Sequence, residues 1–258
     1  MTKPANPAII IGLGGTGQWA LTYVKKNLID TYGGVPETVK LLSFDTTSDK
    51  TEAKVEKGEE HARVGNVQLG AGEFFYLGGN IKRLCEEIRK EKRHNQISSW
   101  LQAEYYLSAL EDDAFELSKG AGQRRPFGRM AVFYDLLQSP PQIIGKIEQA
   151  INEVTGKNER RQPIEIYIVC SLAGGTGSGM LIDIAHITRQ IAESKSIPFA
   201  IRAFLVMQNA FDTVMEIKKV LANSFAAMRE LDRFLQVFDR DYPIYYSDDT
   251  TNRQPVEV

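Results

Sequence analysis

Two short runs of glycine and hydroxyl residues have the composition of a phosphate cradle. Gly12-Leu13-Gly14-Gly15-Thr16-Gly17 follows one apolar run, and Ala173-Gly174-Gly175-Thr176-Gly177-Ser178-Gly179 follows another. Glycine reaches left-handed backbone conformations and, lacking a Cβ, lets backbone approach an anion closely. Where such a run ends a strand and opens a helix, the helix's first N–H groups and its positive dipole end face the same point. The first run fits G-x-G-x-x-G. Asp45 closes the next apolar run, where dinucleotide-binding folds often place an acidic ribose ligand. Neither run has the lysine before Ser/Thr that a P-loop uses. Phosphates would therefore be held mainly by backbone N–H groups, helix dipoles and hydroxyls such as those of Thr176 and Ser178. A further break at Lys119–Pro126 is rich in glycine and arginine. Gln123, Arg124, Arg125 and Arg129 stand out there, and a guanidinium from Arg124 or Arg125 suits a terminal phosphate.

The elements that must position these runs can be read from periodicity. Pro7–Leu13 and Val39–Phe44 read as buried strands, with a helix from Gln18 to about Asp30 between them and a tight loop at Gly14–Gly17. The two strands should pair in parallel. Thr46 to Gly78 is polar and glycine-rich and reads as an irregular insertion, plausibly mobile. Helical patterns follow at Asn80–Arg93 and Gln96–Leu110, where Trp100 and Leu101 read as packing residues. Phe127–Gln138 and Gln142–Glu153 look helical, separated by Ser139-Pro140-Pro141. Ile164–Ser171 is a β-branched strand that runs straight into the second cradle. A helix over Ser178–Glu193, a buried strand over Phe199–Met207 and a long helical stretch over Val214–Val237 come next, and Pro243–Tyr246 is a further strand candidate. This alternation predicts an α/β, Rossmann-like, mostly parallel sheet with helices on both faces. Residues 1–258 read as a single domain with a partly helical insertion over about 46–118.

Composition narrows the function classes. Of 258 residues, 43% are hydrophobic and 25% charged, and the net charge of −2 (31 basic, 33 acidic) does not suggest nucleic-acid binding through bulk charge. No apolar run is long enough for a membrane span, and Met1–Asn6 has no signal pattern, so a cytoplasmic protein is expected. Two cysteines, Cys85 and Cys170, and three histidines, His61, His94 and His186, show no metal-ligand spacing.

The second cradle resembles the tubulin/FtsZ signature G-G-G-T-G-[ST]-G, with Ala173 at the first glycine. Gly12–Gly17 looks like the first nucleotide loop of that superfamily. Gly120-Ala121-Gly122, then Pro126, Gly128 and Ala131, are similar to the FtsZ stretch that faces the γ-phosphate. Asp45 matches an acidic position near the magnesium ion, although Thr47 stands where tubulins carry glutamate. Phe211-Asp212 resembles the Phe-Glu that contacts the ribose. The matches come in family order, as in a divergent bacterial tubulin-like protein with an enlarged segment after the second strand. The resemblance implies a tubulin/FtsZ-type GTPase domain that binds GTP or GDP with Mg2+. Contacts would come from Gly14, Gly15, Thr16, Gly17 and Gln18; from Asp45 and Thr46; from Gly120, Ala121, Gly122, Gln123 and Arg124; from Ala173, Gly174, Gly175, Thr176, Gly177, Ser178 and Gly179; and from Asp212. It also implies self-association into a head-to-tail filament, or a nucleotide switch. Hydrolysis in the family needs an acidic loop from a neighbouring subunit. That loop and the activation domain carrying it have no counterpart before Val258, so no catalytic residue is assigned. Alternatives are an NAD-dependent Rossmann oxidoreductase reading Gly12, Gly14, Gly17 and Asp45, an adenylating enzyme without its Cys-x-x-Cys pair, and a non-catalytic nucleotide-binding scaffold.

Overall fold

The computed structural model describes residues 5–47, 62–91, 94–104, 106, 120–159, 162–211 and 217–236. Its centre is a five-stranded sheet built from β1 (Ala8–Leu13), β2 (Val39–Asp45), β5 (Phe74–Tyr76), β6 (Ile164–Ser171) and β7 (Phe199–Val206), in the order β5-β2-β1-β6-β7. Every neighbouring pair is parallel. Alternation along the strands sorts side chains to two faces. Ile9, Ile11, Leu13, Leu42, Phe44, Ile166 and Ile168 enter the larger core. Ile10, Val39 and Leu41 enter a smaller one, against which Tyr167 and Val169 pack.

The smaller core is covered by α1 (Gly14–Tyr32) through Leu21, Val24 and Leu28. The larger core takes α2 (Ile81–Glu91), α4 (Arg125–Leu136), α5 (Gln142–Lys157) and α6 (Gly175–Ser194). A short α3 (Asn95–Ser98) precedes Trp100 and Leu101, which pack into that core as the sequence suggested. The final described helix, α7 (Ile217–Gln236), is continuous and lies against α6.

Several expectations need correction. Gly14–Gly17 and Gly175–Gly177 are not loops ahead of helices but the first turns of α1 and α6; β1 passes into α1 with no intervening residue. The Thr46–Gly78 segment is only partly irregular. Residues 48–61 lie outside the described residues, but β3 (Arg63–Val64) and β4 (Val67–Gln68) form a hairpin turned at Gly65, and Phe74–Tyr76 joins the main sheet beside Ser43–Asp45. This region is tied to α1, where Thr22 Oγ1 donates to Ala62 O (3.2 Å) and Lys25 Nζ reaches Gln68 O (3.0 Å) and Glu73 (2.6 Å). β7 is not a buried strand. Among the described residues it pairs only with β6, and Arg202, Ala203 and Phe204 are exposed; Arg202 and Phe204 lie beside Tyr167 and Val169 on the α1 side of the sheet, and Ala203 on the other. The helical pattern over Gln96–Leu110 is interrupted in its described part: α3 ends at Ser98, and the chain is helical again at Ala103, Glu104 and Tyr106; most of 105–110, and the strand candidate at Pro243–Tyr246, lie outside the described residues.

Candidate functional site

The strand order reverses direction between β1 and β6. From β1 the chain adds strands towards β5, and from β6 it adds β7 on the other side. In open parallel sheets such a switch point leaves a crevice at the carboxyl ends of the strands. Both glycine cradles emerge there, side by side.

The glycines of the first cradle divide their work. A Cβ on Gly17 would lie 2.5 Å from the Gly12 carbonyl carbon and 2.8 Å from Val169 O, so Gly12 and Gly17 let α1 sit directly on β1 and β6. Gly14, at φ +68°, makes the strand-to-helix turn and abuts the second cradle, with Gly177 N and Thr176 Cβ each 3.2 Å from where its Cβ would be. Gly15 is exposed and has open space where a side chain would point. Of the contacts expected from Gly14, Gly15, Thr16, Gly17 and Gln18, Gly15 therefore has the clearest access to a ligand, and Gly17 is buried in helix–strand packing.

The second cradle interlocks with both neighbours. A Cβ on Gly177 would meet Leu13 O at 2.8 Å and the buried Cys170 Cβ at 2.9 Å. One on Gly175 would meet Arg124 N at 2.6 Å, and one on Gly179 would meet Arg129 N at 3.0 Å. Gly174, the N-cap of α6, has open space before it. The two hydroxyls expected to meet phosphate already have protein partners. Ser178 Oγ donates to Gly174 O, and Thr176 Oγ1 shares a buried 2.6 Å hydrogen bond with Thr46 Oγ1.

The third segment closes the group. Gly120 (φ +93°) lies against Thr47, whose Oγ1 would be 3.1 Å from a Cβ placed there. Ala121 to Arg124 forms a turn, with Arg124 N–H donating to Ala121 O at 2.9 Å and both central residues left-handed, Gly122 at φ 54° and Gln123 at φ 57°. Glycine takes that conformation freely; glutamine takes it at a cost of about 1–2 kcal/mol. Gln123 Oε1 is buried with no hydrogen-bond partner. The arginines separate. Of the two guanidiniums suggested for a terminal phosphate, Arg125 donates to the protein, from Nη1 to Glu230 Oε1 (2.9 Å) and from Nη2 to Ser178 O (3.2 Å). Arg129 forks onto the buried Asp183 (3.0 and 3.2 Å) and lies 4.5 Å over the Trp100 ring. The Arg124 guanidinium lies 5.5 Å over Phe127.

The electrostatics favour an anion. α1, α4 and α6 all begin here, with no capping side chain and no acidic residue in the first turn of any of them. Elsewhere in the same molecule a helix start is capped: the buried Asp135 carboxylate accepts Gln142 N–H (3.2 Å) and Ile143 N–H (2.9 Å) at the start of α5. Uncapped positive helix ends brought together repel one another and attract negative charge. One carboxylate lies close by. Asp45 is 4% exposed, and its Oδ1 accepts Thr46 N–H (2.7 Å) and Thr47 N–H (3.3 Å). Burial pushes its pKa up to about 6, against the opposing pull of the Thr47 and Thr46 amides. Among the described residues no cluster of three or more His, Cys, Asp or Glu could hold a metal. Asp212 lies outside the described residues.

Sequence reasoning missed two residues of this neighbourhood, Asn223 and Glu230 on α7. Asn223 Nδ2 donates to Gln123 O (2.8 Å) and Ala173 O (2.9 Å). The one available signal was their seven-residue spacing, which puts both on one face of the helix.

No curated protein matches the chain. Among solved structures, it resembles CetZ1 from Haloferax volcanii, a GDP-bound monomer (12% identity, TM-score 0.45, covering 88% of this chain and 48% of that one). It also resembles an FtsZ from M. jannaschii (16% identity, TM-score 0.44, covering 90% and 49%) and CetZ2 from Haloferax volcanii, a GTPγS-bound protofilament (15% identity, TM-score 0.40, covering 90% and 60%). The chain thus spans about half the length of the first two and 60% of the third. No described helix is long and apolar enough to cross a membrane. A family profile described as tubulin like matches residues 9–257, nearly the whole sequence, and the chain belongs to that family.

Proposed function

We propose that this chain binds a guanine nucleotide, GTP or GDP, with its phosphates at the junction of the three glycine-rich segments. One observation carries the reading: three uncapped helix N-termini converge at the switch point of a parallel sheet, with open backbone at Gly15 and Gly174. The N–H groups of those first turns serve as donors. Arg124 and the Gln123 side chain approach from the third segment, and Asp212 remains a ribose contact candidate. Thr16, Gln18 and Thr46 line the mouth or floor of the cradle. Family membership and the second cradle's signature support guanine over adenine. A single carboxylate with neighbouring hydroxyls fits a phosphate-bound Mg2+, which needs one or two protein carboxylates and fills its shell with phosphate and water. Asp45 would hold it, directly or through water, and the ion would neutralise phosphate charge.

We further propose that residues 1–258 act as one nucleotide-binding domain that assembles head to tail, or switches with the bound nucleotide. Hydrolysis would be completed by an acidic loop of an adjacent subunit. The positioning and charge stabilisation expected of phosphoryl chemistry are what this site offers. The test is thermal unfolding with GTP, GDP, ATP and NAD. A ligand at one hundred times its Kd raises stability by about 2.7 kcal/mol. Stabilisation by GTP and GDP is expected; stabilisation by NAD alone would replace this reading with that of an oxidoreductase.

A further inference from the structure

We propose that Asn223 on α7 is a positioning residue for the phosphate cradle, fixing the Ala173–Gly174 and Gln123–Arg124 peptides so that the second and third segments present one rigid set of donors. The proposal rests on the reading of this site as a nucleotide phosphate site.

A side-chain amide has two N–H groups. Here Nδ2 reaches two carbonyls, Gln123 O at 2.8 Å and Ala173 O at 2.9 Å. The two belong to different segments, 50 residues apart in sequence. In a planar trans peptide the C=O and the following N–H point in opposite directions. Holding Ala173 O towards α7 therefore turns the Gly174 N–H away from α7, at the residue whose surroundings are open. The second peptide is gripped at both ends, since Gln123 O meets Asn223 while Arg124 N–H meets Ala121 O. That grip keeps Gln123 in its left-handed conformation. Two turns further along α7, Glu230 takes the Arg125 guanidinium, which also donates to Ser178 O. The cradle thus has a brace on the side away from the ligand, in which one helix, α7, ties the second and third segments together.

The experiment compares the parent with Asn223→Ala and Asn223→Asp. Aspartate keeps the shape but accepts rather than donates, so it faces two carbonyl oxygens it cannot bond. Asn223→Ala should therefore bind fluorescent GTP and GDP analogues roughly tenfold more weakly, and Asn223→Asp more weakly still. The ligand-free unfolding temperature of Asn223→Ala should fall by only a few degrees, and Ser224→Ala, a neighbouring control on the same helix, should keep parent-like affinity. Parent-like affinity in both variants, or an equal loss in Ser224→Ala, overturns the proposal. Hydrogen exchange on the ligand-free chain tests it independently of any nucleotide. Asn223→Ala should speed exchange at 121–124 and 173–176 and leave β6 unchanged; parent-like exchange in those segments overturns the proposal. A parent that binds neither GTP nor GDP removes the nucleotide reading, while the exchange result still decides whether Asn223 positions the segments.

Discussion

Removing the charge at Asp45 should make the ligand-free protein more stable at neutral pH. The side chain is 4% exposed, and its pKa rises from 3.8 in a free chain to about 6. The folded state thus holds the proton more tightly than the unfolded state, and ionisation opposes folding. The penalty is absent below pH ~4, grows as pH rises towards 6, and is complete above that. A shift of about two pK units corresponds to about 3 kcal/mol at pH 7.5, and to about 1 kcal/mol at pH 4.5. Asparagine keeps an Oδ1 that accepts the Thr46 and Thr47 amides, so Asp45→Asn removes the penalty and retains the turn. In chelator, without nucleotide, Asp45→Asn should unfold about 6–12 °C above the parent at pH 7.5, with the gap shrinking to about a third at pH 4.5. Paired thermal scans at the two pH values are the assay. A gap that is independent of pH, or a parent that is the more stable at pH 7.5, would refute the assignment of a buried, uncompensated carboxylate. With Mg2+ and GTP the order should narrow or invert, because the proposed cation would offset the charge in the parent alone.

Other expectations follow from the same geometry. Gly15→Ala should stabilise the ligand-free chain by about 0.5–1 kcal/mol, since an exposed helical glycine gains a better helix former. It should also reduce the stabilisation by GTP, and a variant that keeps the full GTP effect would remove Gly15 from the site. Gly17→Ala should cost about 2 kcal/mol or more in urea unfolding, because its Cβ would sit 2.5 Å from the Gly12 backbone. His186 is 8% exposed and held neutral by burial, its pKa lowered from 6.5 to about 4, with Arg189 and Arg129 adding to the shift. That contribution is complete above pH 6.5 and is lost as pH falls towards 4, by about 3 kcal/mol in all. His186→Gln should therefore lose less stability than the parent between pH 7 and pH 4. Arg129→Ala removes the bidentate partner of the buried Asp183 and should cost up to about 3 kcal/mol in urea unfolding.

How far the site was legible depended on distance along the chain. β6 was read to the residue, because Ile164–Ser171 is a β-branched run bounded by polar and glycine residues. β5 was missed, because a three-residue edge strand has no room for periodicity and sits in a polar stretch. The glycine motifs announced a backbone-rich site but not which glycines serve it. Gly17 and Gly177 carry packing, whereas Gly15 and Gly174 face open space, and only the fold distinguishes them. Arg125 looked like a phosphate ligand because its partner, Glu230, lies 105 residues downstream. Asn223 offered only its seven-residue spacing from Glu230, which names no role. Its role exists only once α7 has docked.

The glycine contacts also constrain how such a site can change. Gly12 faces Gly17, Gly14 faces Thr176 and Gly177, and Gly175 faces Ala121 and Arg124, each across a gap narrower than a methyl group requires. A substitution at one position therefore has no small neighbouring step; it needs a matching backbone displacement in another segment. At these contact positions the three segments should behave as one epistatic block, in which single changes fail and only coordinated ones survive; Gly15 and Gly174, which face open space, stand outside it. The β3–β4 hairpin has no such clash, since nothing lies within 4 Å of a Cβ at Gly65; only the φ of +63° at that turn favours glycine, and the remaining hairpin positions can drift one residue at a time.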